Sequence, residues 1–232
     1  MNFCFLTLTL IALAFSKFIE AKDDGKSRVF IVAVHNENLD WLEPIANETI
    51  VYNKATSLNT KIPVEKFQDV RTLPNVGRES HTYLTYVIEN YDTLPDVITF
   101  SQGRIDDHGY PRPLETLLEL AEQASEFGGS KNYRFENTPF SFNLNSVIHC
   151  HLYRNVVARE HINFGQFMKR VFGKCPPKLK IFYYGLFSVS KERIRMRPKE
   201  FYEKLIKHVD YNNSPIEGHY FERAWNEVFN IA

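Results

Sequence analysis

Cysteine is scarce in this chain: three in 232 residues, one of them (Cys4) in the opening stretch. A disulfide framework is thereby excluded, because small stapled scaffolds are cysteine-dense. Neither sign of charge is in excess, since 28 basic residues face 28 acidic ones. That balance argues against nucleic acid as a partner, whose binders carry a basic excess or stripe. Four common signatures are also missing: the Gly-x-Ser-x-Gly elbow, the phosphate loop, the dinucleotide Gly-x-Gly-x-x-Gly and Cys-x-x-Cys. Their absence removes the commonest hydrolase, nucleoside-triphosphatase and redox designs. No repeat or low-complexity tract is present. No apolar run reaches the roughly 20 residues that cross a bilayer.

What the chain has in plenty is aromatic side chains, with 19 Phe and 12 Tyr. Together with 44% hydrophobic residues they can fill one large core. A single core grows to roughly 250 residues before a chain splits into domains. The first residues stand apart. Residues 3–15 are apolar except for Thr7 and Thr9, and Ile19-Glu20-Ala21 offers a cleavage site before Lys22. We read 1–21 as a signal peptide, 22–27 as a linker and 28–232 as one domain. Secretion, or residence in the lumen of the secretory pathway, follows, with no stable membrane span after cleavage. Cleavage leaves Cys150 and Cys175, either one disulfide or a buried thiol and a loop thiol. Asn47 and Asn212 head glycosylation sequons that suit this route.

Residues 28–35 (RVFIVAVH) form a continuous, β-branched apolar run, as in a strand buried on both faces. A second strand is expected over 49–52 and a third over 96–100, each ending in polar residues. Residues 55–71 read as irregular. Asn75 is placed to cap a helix from about Val76, with Tyr83, Leu84, Val87, Ile88 and Tyr91 on its apolar face. Further helices are expected over 114–127, ended by Gly128-Gly129, and over 155–172 and 220–229. Strands are expected over 146–153 and 180–189, with a loop over 131–145. The pattern predicts an α/β fold: a single domain with a mixed, mainly parallel sheet flanked by helices. Ligands of such sheets sit beyond the carboxyl ends of the strands.

Chemistry concentrates in 73–108. Gly77 and Arg78 at a helix start provide unpaired N–H groups and a cation, a pocket for phosphate or carboxylate. The alternative is an ion pair between Arg78 and Glu79 or another carboxylate. Asp106, Asp107 and His108 follow a strand and Gly103; adjacent carboxylates favour a cation, and oxygen ligands beside a diphosphate suit Mn²⁺ or Mg²⁺. The alternative is a solvated turn. His149 and His151 would share one face of a strand and could ligate zinc, or be core histidines. Glu222 is a candidate general base at the last helix, or a structural ion-pair partner. Lys191, Arg193, Arg195 and Arg197 would share one face of an extended segment, whether solvated or against phosphate.

Two clusters of motifs carry a resemblance. Asn36-Glu37-Asn38-Leu39-Asp40-Trp41-Leu42, Val51-Tyr52-Asn53-Lys54, Asn75-Val76-Gly77-Arg78-Glu79 and Gln102-Gly103 through Asp107-His108 form the first. Phe187-Ser188-Val189-Ser190 and Glu222-Arg223-Ala224-Trp225 form the second. Together they resemble a domain-of-unknown-function family over nearly everything after the signal segment. More distantly the pattern is similar to glycosyltransferases of the nucleotide-diphospho-sugar (GT-A-like) fold, with Asp106-Asp107-His108 replacing their Asp-x-Asp. That similarity implies a sugar nucleotide and a glycan acceptor as partners, and Mn²⁺ or Mg²⁺ with no organic cofactor. By it Asn36, Glu37, Lys54, Asn75, Gly77, Arg78, Gln102 and Gly103 would bind the ligand. Asp106, Asp107 and His108 would hold the metal, and Asp107 and Glu222 would be catalytic. Two other functions stay open: a secreted, non-catalytic glycan- or partner-binding module, and a metal-dependent hydrolase using His108, His149 and His151.

Overall fold

The computed structural model describes residues 25–123, 127–129, 134–136, 156–160, 162–174, 179–181 and 183–229. The readings for the signal segment, for residues 146–153 and for His149, Cys150, His151 and Cys175 lie outside the described residues; of the loop expected over 131–145 only Arg134–Glu136 is described, and it forms a strand.

The organising strand is β1, Arg28–Val34, buried from Val29 onward. It lies between β2 (Thr49–Asn53) and β4 (Val97–Gln102), parallel to both, with Ile31 beside Ile50 and Phe100. β3 (Asp69–Thr72) extends the parallel set from β2. On the other side β8 (Phe187–Ser190) runs antiparallel to β4, and β5 (Phe127–Gly129) antiparallel to β8. The sheet order is β3-β2-β1-β4-β8-β5. A separate ribbon pairs β6 (Arg134–Glu136) with β7 (Leu179–Ile181). This is an α/β fold with a mixed, mostly parallel sheet.

Alternation sends successive side chains to opposite faces, and each face finds a cover. Val29, Ile31, Tyr52, Ile98 and Phe100 pack with α1 (Arg78–Asn90) and α6 (Ile216–Phe229). That core is aromatic: the Tyr83 and Phe100 rings are 4.8 Å apart, Phe187 and Trp225 5.3 Å. Phe30, Val32, Val34 and Val51 pack instead with the 3₁₀ segment Asp40–Glu48 and with α2 (Pro113–Gln123). α3 (Phe164–Phe172), α4 (Lys191–Arg195) and α5 (Lys199–Ile206) complete the helices.

Several expectations are corrected. Residues 55–71, read as irregular, contain a 3₁₀ turn (Val64–Lys66) and most of β3. The helix expected to reach residue 127 is described over Pro113–Gln123 and stops short of Phe127, which with Gly128-Gly129 pairs in β5. The helix expected from 155 starts at Phe164, because Asn163 and Gln166 form a capping box there. Val157 is instead bridged to Pro215. The strand expected over 180–189 is broken by a corner, Tyr183–Gly185, in which Tyr184 and Gly185 both take positive φ (66° and 61°). Residues 191–195 are helical, so the alternating cations there do not share an extended face. Ser190 caps that helix, its hydroxyl accepting from Arg193 N–H. The last helix begins at Ile216, earlier than residue 220.

Candidate functional site

The chain leaves β1 toward β2 and β3 and later returns to the opposite side of β1 as β4. Neighbouring parallel strands whose connections diverge leave a crevice beyond their carboxyl ends, where ligands of open α/β sheets bind. A cleft of ≈ 700 Å³ opens at that point. Asn36 and Glu37 from the end of β1 and Gly103, Arg104 and Asp106 from the end of β4 line it. Trp41, Pro111 and Pro113 give it apolar walls. Its size is that of small-molecule sites, roughly 300–1,000 Å³.

Local bonds fix this geometry. The Glu37 carboxylate accepts the N–H groups of His35 (2.7 Å) and Asn36 (3.0 Å), closing the turn after β1. Trp41 Nε1 donates to the Gly103 carbonyl at 3.0 Å and clamps the loop after β1 to the end of β4. A Cβ on Gly103 would lie 3.0 Å from Val34 and 3.2 Å from Glu37, so a side chain there would crowd the approach of the two loops.

Arg104 stands between two carboxylates, its Nε 2.9 Å from Asp106 and 3.5 Å from Asp107. Its hydrogen bond holds Asp106 below the ordinary carboxylate range. Among the described residues no three or more His, Cys, Asp or Glu side chains group as a metal site. Mn²⁺ or Mg²⁺ would have to draw Asp106 and Asp107 away from Arg104, so this side-chain set does not fit a preformed metal centre, and no chemical step is routed through one. The His108 side chain lies outside what is described; its backbone closes the 3₁₀ turn Asp106–His108.

A second polar cluster lies across the sheet, on the α1 and α6 side. Lys54, just past β2, is buried, and its Nζ donates to the carbonyls of Val76 (2.6 Å) and Arg78. Burial pushes its ammonium down to about 8. α1 starts at Arg78 with Gly77 in the cap position, so Asn75, expected there, is an exposed residue upstream of the cap. Gly77 has φ 63°, and an added Cβ would meet Val209 O at 2.4 Å and His81 Cβ at 2.6 Å. Its N–H donates to Asn212 O at 2.7 Å. The space expected for an approaching anion is filled by the chain's own 209–212 loop.

Arg78 is also left-handed, φ 50°, a costly conformation for a residue with a side chain. Its Nε lies 3.6 Å from Glu79, and its side chain crosses α6 at Gly218. Burial pushes the Glu79 carboxyl up, against the pull of Arg78 and of its own N–H. Glu222 accepts the Tyr184 N–H at 2.9 Å and stands 3.4 Å from Arg223 and 3.8 Å from His219. Burial opposes its ionisation, but His219, Arg223 and the Tyr184 N–H together hold it below the ordinary range.

The structure therefore divides the sequence-predicted residues in two. Asn36, Glu37, Gly103 and Asp106 line the cleft, with Asp107 tied to Arg104 beside it. Lys54, Gly77, Arg78 and Glu222 belong to the opposite face. Gln102 joins the two, because its Nε2 donates to Tyr184 O at 2.7 Å and its neighbour Gly103 lines the cleft. The sequon residue Asn47 is exposed, whereas Asn212 is half-buried and accepts Ser214 N–H at 2.9 Å. Sequence reasoning left out of the site Trp41, Arg104, Glu79 and Tyr184. Trp41 carried a signal, an indole at the carboxyl end of a buried strand. The Tyr-Gly pair at 184–185, inside an apolar run, was the mark of a corner.

No helix of the described residues is long and apolar enough to cross a membrane. A family model described as "Protein of unknown function (DUF3431)" matches residues 29–232, and the chain belongs to that family. No curated protein matches it, and no solved structure does.

Proposed function

We propose that this is a secretory-pathway, glycosyltransferase-like protein that binds a sugar nucleotide in the cleft between the carboxyl ends of β1 and β4. The observation that carries the reading is the position of that cleft, at the point where the connections of two parallel strands diverge, with a cation on its rim. Arg104 presents a guanidinium suited to a diphosphate. Trp41 and the two prolines supply flat apolar surface against which a base can pack. Asn36 and Asp106 offer hydrogen-bonding groups for ribose or sugar hydroxyls. An inverted β8 set between β4 and β5 in a mainly parallel sheet supports the nucleotide-diphospho-sugar transferase-like architecture that the sequence resemblance implies. The glycan acceptor would enter at the same sheet end.

Calorimetric titration with uridine and guanosine diphosphate sugars, with and without Mn²⁺, tests this reading. Saturable binding that Arg104→Ala weakens supports it; no binding across the panel sinks it.

One observation favours a second reading, a secreted module that binds glycan without catalysis. Asp106 and Asp107 are already compensated by Arg104, which leaves them less need of a metal. That protein would bind oligosaccharide with no nucleotide and no metal dependence.

A further inference from the structure

Glu37, Asp106 and Asp107 stand at the cleft or beside it, and the chain itself engages each of them. The Glu37 carboxylate takes the N–H groups of His35 and Asn36, at 2.7 and 3.0 Å. Asp106 takes the Nε–H of Arg104 at 2.9 Å, and Asp107 stands 3.5 Å from the same nitrogen. A divalent cation on the two aspartates would need further oxygen ligands. Among the described residues no group of three or more His, Cys, Asp or Glu side chains supplies them. Such a cation would also have to stand against the positive charge of Arg104.

Arg104 itself is engaged at one edge. Its Nε–H goes to Asp106, and among the described residues no hydrogen bond involves Nη1 or Nη2. A guanidinium carries N–H donors on every nitrogen of a rigid plane, so the bond to Asp106 leaves both Nη groups to give. They form a fork that matches two oxygens of one phosphate. The side chain is 58% exposed on the wall of the ≈ 700 Å³ cleft, so a ligand held there can reach that fork.

Resting on the reading of this cleft as a nucleotide site, we infer that Arg104, positioned by Asp106, takes the place of a divalent cation and binds the ligand's diphosphate directly through Nη1 and Nη2. Asp106 is then a positioning residue and not a metal ligand, because its carboxylate fixes the plane of the guanidinium. A fork already fixed loses less freedom on binding than a free side chain would. Asp107 lies farther from the guanidinium, and its charge opposes that of the ligand. It therefore tempers affinity instead of supplying it.

Calorimetric titration of the wild-type chain with uridine diphosphate and with guanosine diphosphate, in excess chelator and in Mn²⁺, tests this without any substitution. At least one of the two should bind in chelator, and as tightly as in Mn²⁺. Arg104→Ala should weaken binding in chelator on the order of ten- to a hundredfold, the worth of hydrogen bonds between charged groups. In that variant Mn²⁺ should restore part of the loss, because the freed aspartates can then take the cation. Asp106→Asn and Asp106→Ala lose the same charge, but only Asn keeps an acceptor for the Nε–H. Asp106→Asn should therefore bind the tighter of the two, whereas a metal ligand would be lost in both. Asp107→Asn should bind at least as tightly as the wild type. Wild-type binding that appears only with Mn²⁺, or Asp106→Asn no tighter than Asp106→Ala, would overturn the inference and leave the cleft a nucleotide site. Binding of neither nucleotide under either condition would remove the nucleotide reading and the inference with it.

Discussion

The backbone N–H of Tyr184 donates to the carboxylate of Glu222 at 2.9 Å and so pins a left-handed, non-glycine corner to the last helix. Glu222→Ala would leave a partly buried N–H without its acceptor, at a cost of about 1–3 kcal/mol. Glu222→Gln keeps an acceptor oxygen and should cost less than half of that. Urea denaturation of the two variants measures the difference; equal losses would mean that the bond does not hold the corner.

Gly77 and Gly173 both have positive φ (63° and 71°), but only Gly77 lies against other chain. Gly173→Ala meets nothing within 4 Å and should cost about 1–2 kcal/mol, the left-handed penalty alone. Gly77→Ala adds a clash with Val209 worth about 1–3 kcal/mol more. Thermal midpoints compared at one pH would show the gap, and matching shifts would contradict the packing of α1 on the 209–212 loop.

Stability should also respond to pH through three buried groups. Glu222 has its folded pKa depressed, so its contribution is present above about 4.5 and is lost as pH falls through the folded value. Glu79 is raised, so its contribution runs the other way: it is present below about 4.5 and lost as pH climbs through its folded value. Lys54 is depressed to about 8 from 10.5; between those values the unfolded chain binds the extra proton, and stability rises with pH. Glu79→Gln should therefore gain on the wild type as pH rises from 4.5 toward neutrality. Denaturation curves at several pH values check the slope, and a difference independent of pH would refute the buried state of Glu79.

How far the sequence foretold this can be argued from particular residues. The apolar runs at 28–35 and 96–100 gave β1 and β4, because a strand buried on both faces shows its hydrophobicity without interruption. The carboxyl ends of those strands, and so Asn36 and Gly103, were visible with them. Arg78 and Gly77 left two readings open, an anion pocket and an ion pair of Arg78 with Glu79; in the structure Glu79 stands beside Arg78, and Val209 arrives from 132 residues away to pack against Gly77. Contacts of that kind depend on the path of the chain, which local pattern does not carry. Glu79 was hidden for a related reason, since nothing local distinguishes a buried glutamate from an exposed one in the first turn of a helix.

Arg104 stands beside both Asp106 and Asp107 and holds the Asp106 carboxyl below its ordinary range. In Arg104→Ala the Asp106 carboxyl should return toward its ordinary range, and the freed pair should bind Mn²⁺ more tightly than the wild type does. Carboxyl-resolved NMR titration and Mn²⁺ relaxation measure the two effects. Unchanged Mn²⁺ affinity would mean that Arg104 does not compete with a cation for these carboxylates.

The chain's two tryptophans permit the most direct test of the cleft. Trp41 lines it, whereas Trp225 is fully buried in the aromatic core. Titration of the wild type with a uridine or guanosine diphosphate sugar, followed by intrinsic fluorescence, should give a saturable change. Trp41→Phe should abolish that change, and a Trp225→Phe chain that remains folded should keep it. A signal that survives Trp41→Phe, or no saturable signal with any sugar nucleotide, would contradict a sugar-nucleotide site between β1 and β4.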